Sequence, residues 1–444
     1  MNCEIGCKAP FCAPFGSAVM LFFCLLVTPL EAAHGFGTPA VNAVRLLAEF
    51  TGQNAQRYAP FFSFSPETRI VAVEIHAVGT HSTTARYSSH ENPWHEVNNI
   101  LRIKTADGME GISGVDSYYG GDFSNELLLE LEGVSPDLLA LETVDPLEVR
   151  RVLTKAHPHL SDAARSSIDI ALWDLAARRA GLPLYQLLGA KRDSIEAYAS
   201  LPFYESLPEY LNAVEEYAEL GYKTFKFHVW GRLNNDLKLV DLVQQTYKDT
   251  EPYRFMIDAE SAYDFDDALR LGSSMDQGLF IWLEAPIKDE LLKEYQQLRS
   301  RLTQSIIPSG YTNYSAEFIR QGIQLDAWDA GRFDATVVGG ITKALELLMI
   351  ANAAGLPIEI QSWGHALSQA SNLHLMLANN QTRYFEAAMP GQPYEFGMKT
   401  GIVLQKGRAL GPEAPGLGVE VDWNRLDTAD FYTRRITCAQ RNPC

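Results

Sequence analysis

The chain has 444 residues, 46% of them hydrophobic and 21% charged, which is typical of a soluble globular protein with enough apolar residues for a sizeable core. This composition excludes a disordered chain and a bundle of membrane helices. Acidic residues outnumber basic ones, 55 to 37, and the formal net charge of −18 argues against nucleic acid and anionic membranes as partners.

An apolar run stands near the amino terminus. Residues 18–30 form a run of 13 with Lys8 upstream and Ala32 and Ala33 just after it. This pattern predicts a signal peptide cleaved near Ala33, and therefore a secreted or periplasmic protein. A spanning helix needs about 20 apolar residues, although an uncleaved anchor or an unusual cytosolic leader stays an alternative. Of the cysteines beyond this run, Cys438 and Cys444 either form a disulfide or are two free thiols.

Alternating strands begin at about residue 68. The runs 69–78 and 98–115 read as strands, and Ala106-Asp-Gly108 supplies a hairpin turn in the second run. The segment 80–97 between them is longer than a hairpin needs. We expect it to be either a loop that closes over ligands or a solvated insertion. In the first case three of its side chains would set substrate specificity: His81, Arg86 and Trp94.

After residue 190, short β-rich runs alternate with helical stretches. Mostly apolar strands that alternate with helices indicate parallel pairing, and eight of them over about 200 residues indicate a closed α/β barrel. The eight runs are IEAYASL, TFKFHV, RFMIDAE, FIWLEAP, SIIPSG, RFDATV, PIEIQS and TRYFEAA.

Polar residues stand at the carboxyl ends of these runs, which meet at one mouth of a parallel barrel. Asp258 and Glu284 are 26 residues apart, one β/α unit, so they would be neighbours. A single acidic residue at a strand end is usually a helix cap or a solvated loop residue. Two adjacent carboxylates, however, need a cation or a proton between them, and oxygen ligands suit Mg²⁺. The other such residues are Lys226, His228, Asp334, Gln361 and Glu386.

Several of these motifs together resemble the enolase superfamily, in particular the mandelate racemase and muconate lactonising enzyme group. They are residues 168–190 (IDIALWDLAARRAGLPLYQLLGA), Lys226-Phe-His228, Asp258 in MIDAE, Glu284 in WLEAP, Asp334 followed by Gly339-Gly340, and Glu386. The resemblance implies a modified TIM barrel, (β/α)7β, with an N-terminal α+β capping domain, Mg²⁺ as cofactor, a small carboxylate substrate and a homo-oligomer. The implied divisions are a signal peptide (1–33), an N-terminal extension (34–67), the capping domain (68–190), the barrel (191–400) and a C-terminal segment returning to the cap (401–444).

The chain departs from the family pattern at three points. Where the family has its third metal ligand, a Glu after a Gly on strand five, residues 308–313 contain no carboxylate. Glu260, Tyr311 or Asn313 could complete the shell with water, or the metal could bind weakly or not at all. His228 stands where the family's base is a lysine, and Gln361 replaces a histidine on strand seven.

The resemblance also implies abstraction of the proton α to a carboxylate. We expect Asp258 and Glu284 to bind the metal, Lys226 to bind the substrate carboxylate and His228 to act as base. Asp334 with Gln361 makes a poor second proton-transfer pair, since glutamine cannot exchange a proton. Glu386 would either hydrogen-bond the enediolate when protonated or pair with a cation.

The preferred activity is dehydration of a sugar acid by a Mg-dependent hydro-lyase, because one group on one face of the substrate suffices for it. A cycloisomerase or racemase of a carboxylate, and a catalytically degenerate carboxylate-binding relative, stay as alternatives.

Overall fold

Strands alternate with helices along most of the chain. The computed structural model describes residues 41–80, 95–119, 126–249, 252–276, 278–310, 315–426 and 431–439. The strands are β1 (Ile70–Thr80), β2 (His95–Thr105), β3 (Glu110–Tyr119), β4 (Ser194–Leu201), β5 (Thr224–His228), β6 (Arg254–Asp258), β7 (Phe280–Glu284), β8 (Ser305–Ile307), β9 (Gly331–Phe333), β10 (Ile358–Ile360), β11 (Tyr384–Ala388), β12 (Met398–Thr400), β13 (Leu404–Gln405), β14 (Arg408–Leu410), β15 (Glu420–Val421) and β16 (Phe431–Ala439). The α-helices are α1 (Val41–Thr51), α2 (Ala59–Phe62), α3 (Glu126–Ala140), α4 (Pro146–Ala156), α5 (Asp162–Ala180), α6 (Leu184–Leu187), α7 (Leu207–Glu219), α8 (Leu233–Tyr247), α9 (Phe265–Ser274), α10 (Leu292–Arg301), α11 (Ala316–Leu325), α12 (Gly340–Ala354), α13 (Ala366–Ala378) and α14 (Trp423–Leu426).

The first three strands and the last one form an antiparallel sheet in the order β16-β1-β2-β3. The predicted hairpin between β2 and β3 is confirmed, because the N–H of Gly108 donates to the carbonyl of Thr105 at 3.0 Å. Gly108 has a φ of 82°, which glycine adopts at little cost. Alternation places Val73, Ile75 and Ala77 on one buried face, where they share a core with residues of α3, α4 and α5.

Helix α5 lies between this sheet and the barrel, and it is buried on both sides. The indole N–H of Trp173 donates to the hydroxyl of Thr342 on α12 at 3.0 Å, and Asp169 accepts from the backbone N–H of Thr342 at 2.9 Å. Burial raises the pKa of Asp169 to about 6. Gly340 permits this close approach, since a Cβ there would lie 2.4 Å from an oxygen of Asp169. The family motif at residues 168–190 thus forms the contact between the cap and the barrel.

Eight parallel strands, β4 to β11, enclose the barrel, with α7 to α13 in the connections. All eight predicted runs are confirmed as strands, and the α/β class is confirmed with them. The strand ladder is continuous from β11 through β4 to β8, whereas β9 and β10 pair, within the described part of the chain, only with each other. Strands β8, β9 and β10 have three residues each, too few to carry a ladder across both seams.

At those two seams the described residues are joined by hydrogen bonds that involve loop backbone or side chains. The backbone N–H of Asp329 donates to the carbonyl of Ile306 at 3.0 Å between β8 and β9. Between β10 and β11, the backbone N–H of Glu386 donates to the hydroxyl of Ser362 at 2.9 Å. The barrel therefore closes through loop and side-chain contacts instead of the regular ladder that the sequence predicts.

An aromatic layer fills the lower barrel interior, below the polar residues at the mouth. The rings of Tyr198 and Trp282 meet edge to face at 5.4 Å between centroids. Met256 and Tyr384 belong to the same cluster. Because side chains two positions apart share a strand face, the acidic residues that follow on β6, β7 and β11 must stand directly above this layer.

The carboxyl-terminal strand β16 pairs with β1, which places Cys438 opposite Val73. Cys438 is buried and disulfide-bonded, while Cys444 lies outside the described residues. None of the helices in the described ranges is long and apolar enough to cross a membrane. The boundaries given above for the domains stay predictions.

Buried His374 makes the stability of the fold depend on pH. Its Nδ1 accepts from the backbone N–H of Tyr185 at 2.9 Å, and its Nε2–H donates to the carbonyl of Leu417 at 3.0 Å. Burial lowers the pKa of His374 from 6.5 to about 4. Below pH 6.5 the unfolded chain therefore takes up a proton that the folded chain does not, so this histidine costs stability as the pH falls from 6.5 towards 4.

We predict that His374→Gln lowers the free energy of unfolding by less at pH 5 than at pH 7.5. The two losses should differ by about 2 kcal/mol, because pH 5 lies 1.5 units below the ordinary histidine pKa. Urea unfolding at both pH values measures this. Ser371→Ala, a buried but non-titrating change in the same helix, is the control whose cost should not vary with pH. Equal pH dependence in both variants would contradict the prediction.

Candidate active site

Strand β5 carries Lys226 and His228 into the barrel from the same face. Both are buried, and the strand register pairs His228 with Asp258 on β6 and Asp258 with Glu284 on β7. Asp258 and Glu284 thus end neighbouring strands and lie side by side. The structure brings these four predicted site residues together, along with Glu386 of β11.

The ammonium group of Lys226 lies at the centre of this cluster. Its Nζ is 3.0 Å from Oδ2 of Asp258, 3.0 Å from Oε2 of Glu284 and 2.7 Å from Oε1 of Glu386. An ammonium group has three N–H donors. Each of the three can therefore serve one carboxylate, and the hydroxyl of Ser200 also donates to Glu386 at 2.9 Å.

A second buried cation, Arg332 of β9, completes the cluster and was not among the predicted site residues. Its Nη2 donates to Oε2 of Glu386 at 2.5 Å, and its Nε lies 2.8 Å from Oε1 of Glu284. The Nε–H makes no hydrogen bond, so the contact with Glu284 is an ion pair with poor N–H direction. Arg332 stands within the predicted strand RFDATV, and a cation buried inside a barrel needs an anion as its partner.

Three carboxylates share these two cations, and the pKa values of the carboxylates differ because each contacts the cations differently. Burial, with the nearby charges of Asp258 and Glu386, raises the pKa of Glu284 to about 8. Although burial opposes it, the charge of Lys226 holds the pKa of Asp258 well below its usual range. Burial is likewise outweighed at Glu386, where Lys226 and Arg332 lower the pKa to about 2. The cluster is fully buried yet close to charge balance.

His228 is oriented by the strand next to it. Its Nδ1 is 2.7 Å from the carbonyl of Leu201, which can only accept, so Nδ1 carries the proton and Nε2 is the basic nitrogen of the neutral ring. Nε2 lies 3.4 Å from Oδ2 of Asp258 and 3.5 Å from Oε1 of Glu260. The side chain of Glu260 is 38% exposed, so this nitrogen lies at the barrel mouth.

The structure does not arrange Asp334 as a proton-transfer group with Gln361. Oδ1 of Asp334 accepts from the backbone N–H and the hydroxyl of Thr336, at 2.7 and 2.8 Å, and from the amide of Asn372 at 2.7 Å. Burial raises the pKa of Asp334. Asp334 therefore organises the turn into α12, while Gln361 is buried at the end of β10. The predicted residues Tyr311 and Asn313, and the loop residues His81, Arg86 and Trp94, lie outside the described ranges.

The described residues do not fit a Mg²⁺ ion between Asp258 and Glu284. Mg²⁺ requires octahedral oxygen ligands at roughly 2.0–2.1 Å, but Lys226 Nζ already lies 3.0 Å from an oxygen of each carboxylate. A second set of ligand atoms, from His228, Asp258 and Glu260, lies at the mouth within 4.8 Å of one another. Using that set would remove the basic nitrogen of His228 from proton transfer.

Two family models match the chain. Residues 70–189 match the mandelate racemase / muconate lactonizing enzyme N-terminal domain, and residues 209–425 match the enolase C-terminal domain-like family. A putative mandelate racemase/muconate lactonizing enzyme from Pseudovibrio sp. has a solved structure that is 32% identical, with a TM-score of 0.79. The match covers 83% of this chain and 99% of that one.

The curated relatives include sugar acid dehydratases. L-talarate/galactarate dehydratase of Salmonella typhimurium is 30% identical over 271 residues, 58% of this chain and 65% of that enzyme's length. A solved L-talarate/galactarate dehydratase liganded with Mg and L-glucarate has a TM-score of 0.75 at 25% identity, covering 84% of this chain and 94% of that one. Arabinonate dehydratase, D-galactarolactone cycloisomerase and N-succinylamino acid racemase are further relatives.

A capped barrel with acidic residues at the ends of adjacent strands defines an enzyme of the enolase superfamily. Within it, the chain belongs to the mandelate racemase and muconate lactonizing enzyme group, as the resemblance implied. The expected fold class and the enzyme class of dehydratases and isomerases are confirmed.

Arg332 should be essential for stability. We predict that Arg332→Ala lowers the free energy of unfolding by about 3–5 kcal/mol, because it leaves buried carboxylates without their partner. Arg270→Ala is the control: this arginine is 62% exposed and pairs with Asp267, so its removal should cost less than ~0.5 kcal/mol. Denaturant unfolding of both variants measures the difference, and a cost for Arg332→Ala as small as the control's would contradict this account of the cluster.

Proposed function

We propose that this enzyme removes the proton α to the carboxylate of a hydroxy acid, in particular a sugar acid, and eliminates water. The position of His228 carries the proposal, because its basic Nε2 faces the mouth beside the carboxylates that contact Lys226. The dehydratases among the relatives support it.

The substrate carboxylate binds at Lys226 by replacing one of its three partners. Asp258 is the partner suited to leave, since its Oδ2 also lies 3.4 Å from His228 Nε2. Glu284 and Glu386 are each held by Arg332 as well. When the substrate carboxylate takes the N–H that Asp258 releases, Lys226 keeps three anionic partners.

Proton transfer then follows on one face of the substrate. His228 Nε2 takes the α-proton, and the C–H electron pair forms an enediolate that Lys226 stabilises. The imidazolium gains Asp258 as its counter-ion. Its Nε2–H then protonates the β-hydroxyl, the C–O bond breaks, and water leaves as the enediolate electrons form the C=C bond. The enol product tautomerises to a 2-keto-3-deoxy acid, and His228 returns to its neutral form.

Elimination is favoured over racemisation because no second base faces His228 among the described residues. Asp334 is engaged with Thr336 and Asn372, and Gln361 cannot exchange a proton. Cycloisomerisation of a lactone or anhydro acid uses the same single group, and product analysis distinguishes it from dehydration.

We predict that His228→Asn lowers kcat by about 10²–10⁴-fold, the usual contribution of a general base. Asparagine can still donate to Leu201 but lacks the basic nitrogen. A screen of acid sugars, followed by proton NMR in D₂O, measures turnover and exchange of the α-hydrogen. His157→Asn, a change at a half-buried histidine outside the barrel, is the control. Unchanged exchange in His228→Asn would remove His228 from the mechanism, whereas binding without exchange in wild type would favour the degenerate alternative.

We also propose that the chain is exported and assembles as a homo-oligomer. The disulfide at Cys438 supports an oxidising compartment.

We predict that protein recovered from the culture medium or periplasm begins near residue 34, as shown by mass spectrometry of its first peptide, and that deletion of residues 18–30 keeps it in the cytoplasm. Recovery of exported protein that still carries Met1 would contradict cleavage. Light scattering reports the oligomeric state.

A further inference from the structure

We infer that Lys226 and Arg332 together replace the divalent cation at the barrel centre, so that this enzyme works without a metal ion. The part of the inference that concerns catalysis, and the exclusion of a metal at His228, Asp258 and Glu260, rest on the proposed function. The part that concerns a metal between Asp258 and Glu284 does not.

Arg332 already pairs with Glu284, one of the two carboxylates that a metal would need as ligands. Glu284 has one oxygen 2.8 Å from Arg332 Nε and the other 3.0 Å from Lys226 Nζ. Both oxygens therefore face fixed positive charges. Arg332 is 1% exposed and bridges Glu284 to Glu386, so the geometry of the three side chains is mutually determined.

Admitting a metal would require Lys226 to move. An ion coordinated by Asp258 and Glu284 would take the position now held by the ammonium group, which contacts both. Lys226 is 1% exposed and stands above the aromatic layer, with its Nζ 5.5 Å from the ring centre of Tyr198. The displaced ammonium would keep only Glu386 beside a dication, and burying a charge with so few partners is costly.

The space beside Gly310 is also filled, by the side chain of Arg332. At Gly310, which follows β8, a Cβ would lie 3.0 Å from Cγ of Arg332. A contact this tight requires the arginine stem to shift. Gly310 therefore leaves the room that the stem of Arg332 on β9 occupies.

The charges support the same conclusion. Lys226 and Arg332 supply two positive charges to Asp258, Glu284 and Glu386, and Arg332 adds one that the family motif does not imply. The repulsion among the three carboxylates is thus offset by side chains of the protein itself, which cannot leave the site as a bound ion can.

Metal titration of the full-length mature protein tests this inference. After dialysis against EDTA, wild type should contain no stoichiometric metal by mass spectrometry, and Mg²⁺ or Mn²⁺ should give no heat by calorimetry and no shift in melting temperature. In Arg332→Gln combined with Lys226→Gln, which removes both cations from Glu284, Mg²⁺ should raise the melting temperature. Arg299→Gln is the matched control, because Arg299 also pairs with two carboxylates, Asp326 and Asp329, but at the surface.

Turnover of any acid sugar found active should be the same in EDTA and in Mg²⁺, whereas a metal-dependent enzyme would lose about 100-fold or more. Stoichiometric Mg²⁺ binding by wild type, abolished by Glu284→Gln or by Glu260→Gln, would overturn the inference, as would loss of turnover in EDTA. If the double variant does not fold, the wild-type titration alone decides. If no acid sugar is turned over and wild type binds no metal, the proposed function fails while the absence of metal binding stands.

Discussion

Three carboxylates held by two cations inside the barrel are the constraint on which the rest of this molecule depends. Asp258, Glu284 and Glu386 come from strands far apart in the chain, and each stands one layer above packed aromatic rings where water cannot solvate it. Lys226 contacts all three and Arg332 contacts two. Removing any member would leave an uncompensated charge in a medium of low dielectric constant, so strand positions, side-chain choice and chemistry are coupled at this point.

Because of that coupling, the exchange of one residue in such a barrel requires matching residues at several other positions. An arginine on β9 is compatible with this barrel only if acids from β7 and β11 face it and if the residue after β8 leaves room for its stem. Gly310 satisfies the last condition. The histidine on β5 fits the same scheme, because Asp258 can serve either the lysine two residues before it or the imidazole once that ring is charged. A metal site and a salt-bridged site are thus alternative solutions to one electrostatic problem.

Much of this could be predicted from sequence. The eight barrel strands are evident because each is a short apolar run ending in a polar residue, and the convergence of Asp258 and Glu284 follows from their spacing of one β/α unit. The hairpin at Gly108 is a local turn signal. Arg332 was not predicted, because the site residues were predicted from polar side chains at strand ends and Arg332 lies within a strand. The broken ladder beside β9 and β10 could not be foreseen, since pattern alone does not tell how many residues of a run pair with a neighbour. The engagement of Asp334 with Asn372 depends on tertiary packing of α13.

Helix α5 has a consequence for how such a protein can change. Because Trp173 belongs to the barrel core and Leu172 to the core under the antiparallel sheet, one helix is shared by two hydrophobic interiors. The cap therefore cannot swing away as a rigid lid, nor be exchanged between relatives as a module, without rebuilding that helix. Ligands must therefore enter through local segments around the rim of the barrel. Changes in what is bound must arise in those segments, because the cap and the barrel share one helix.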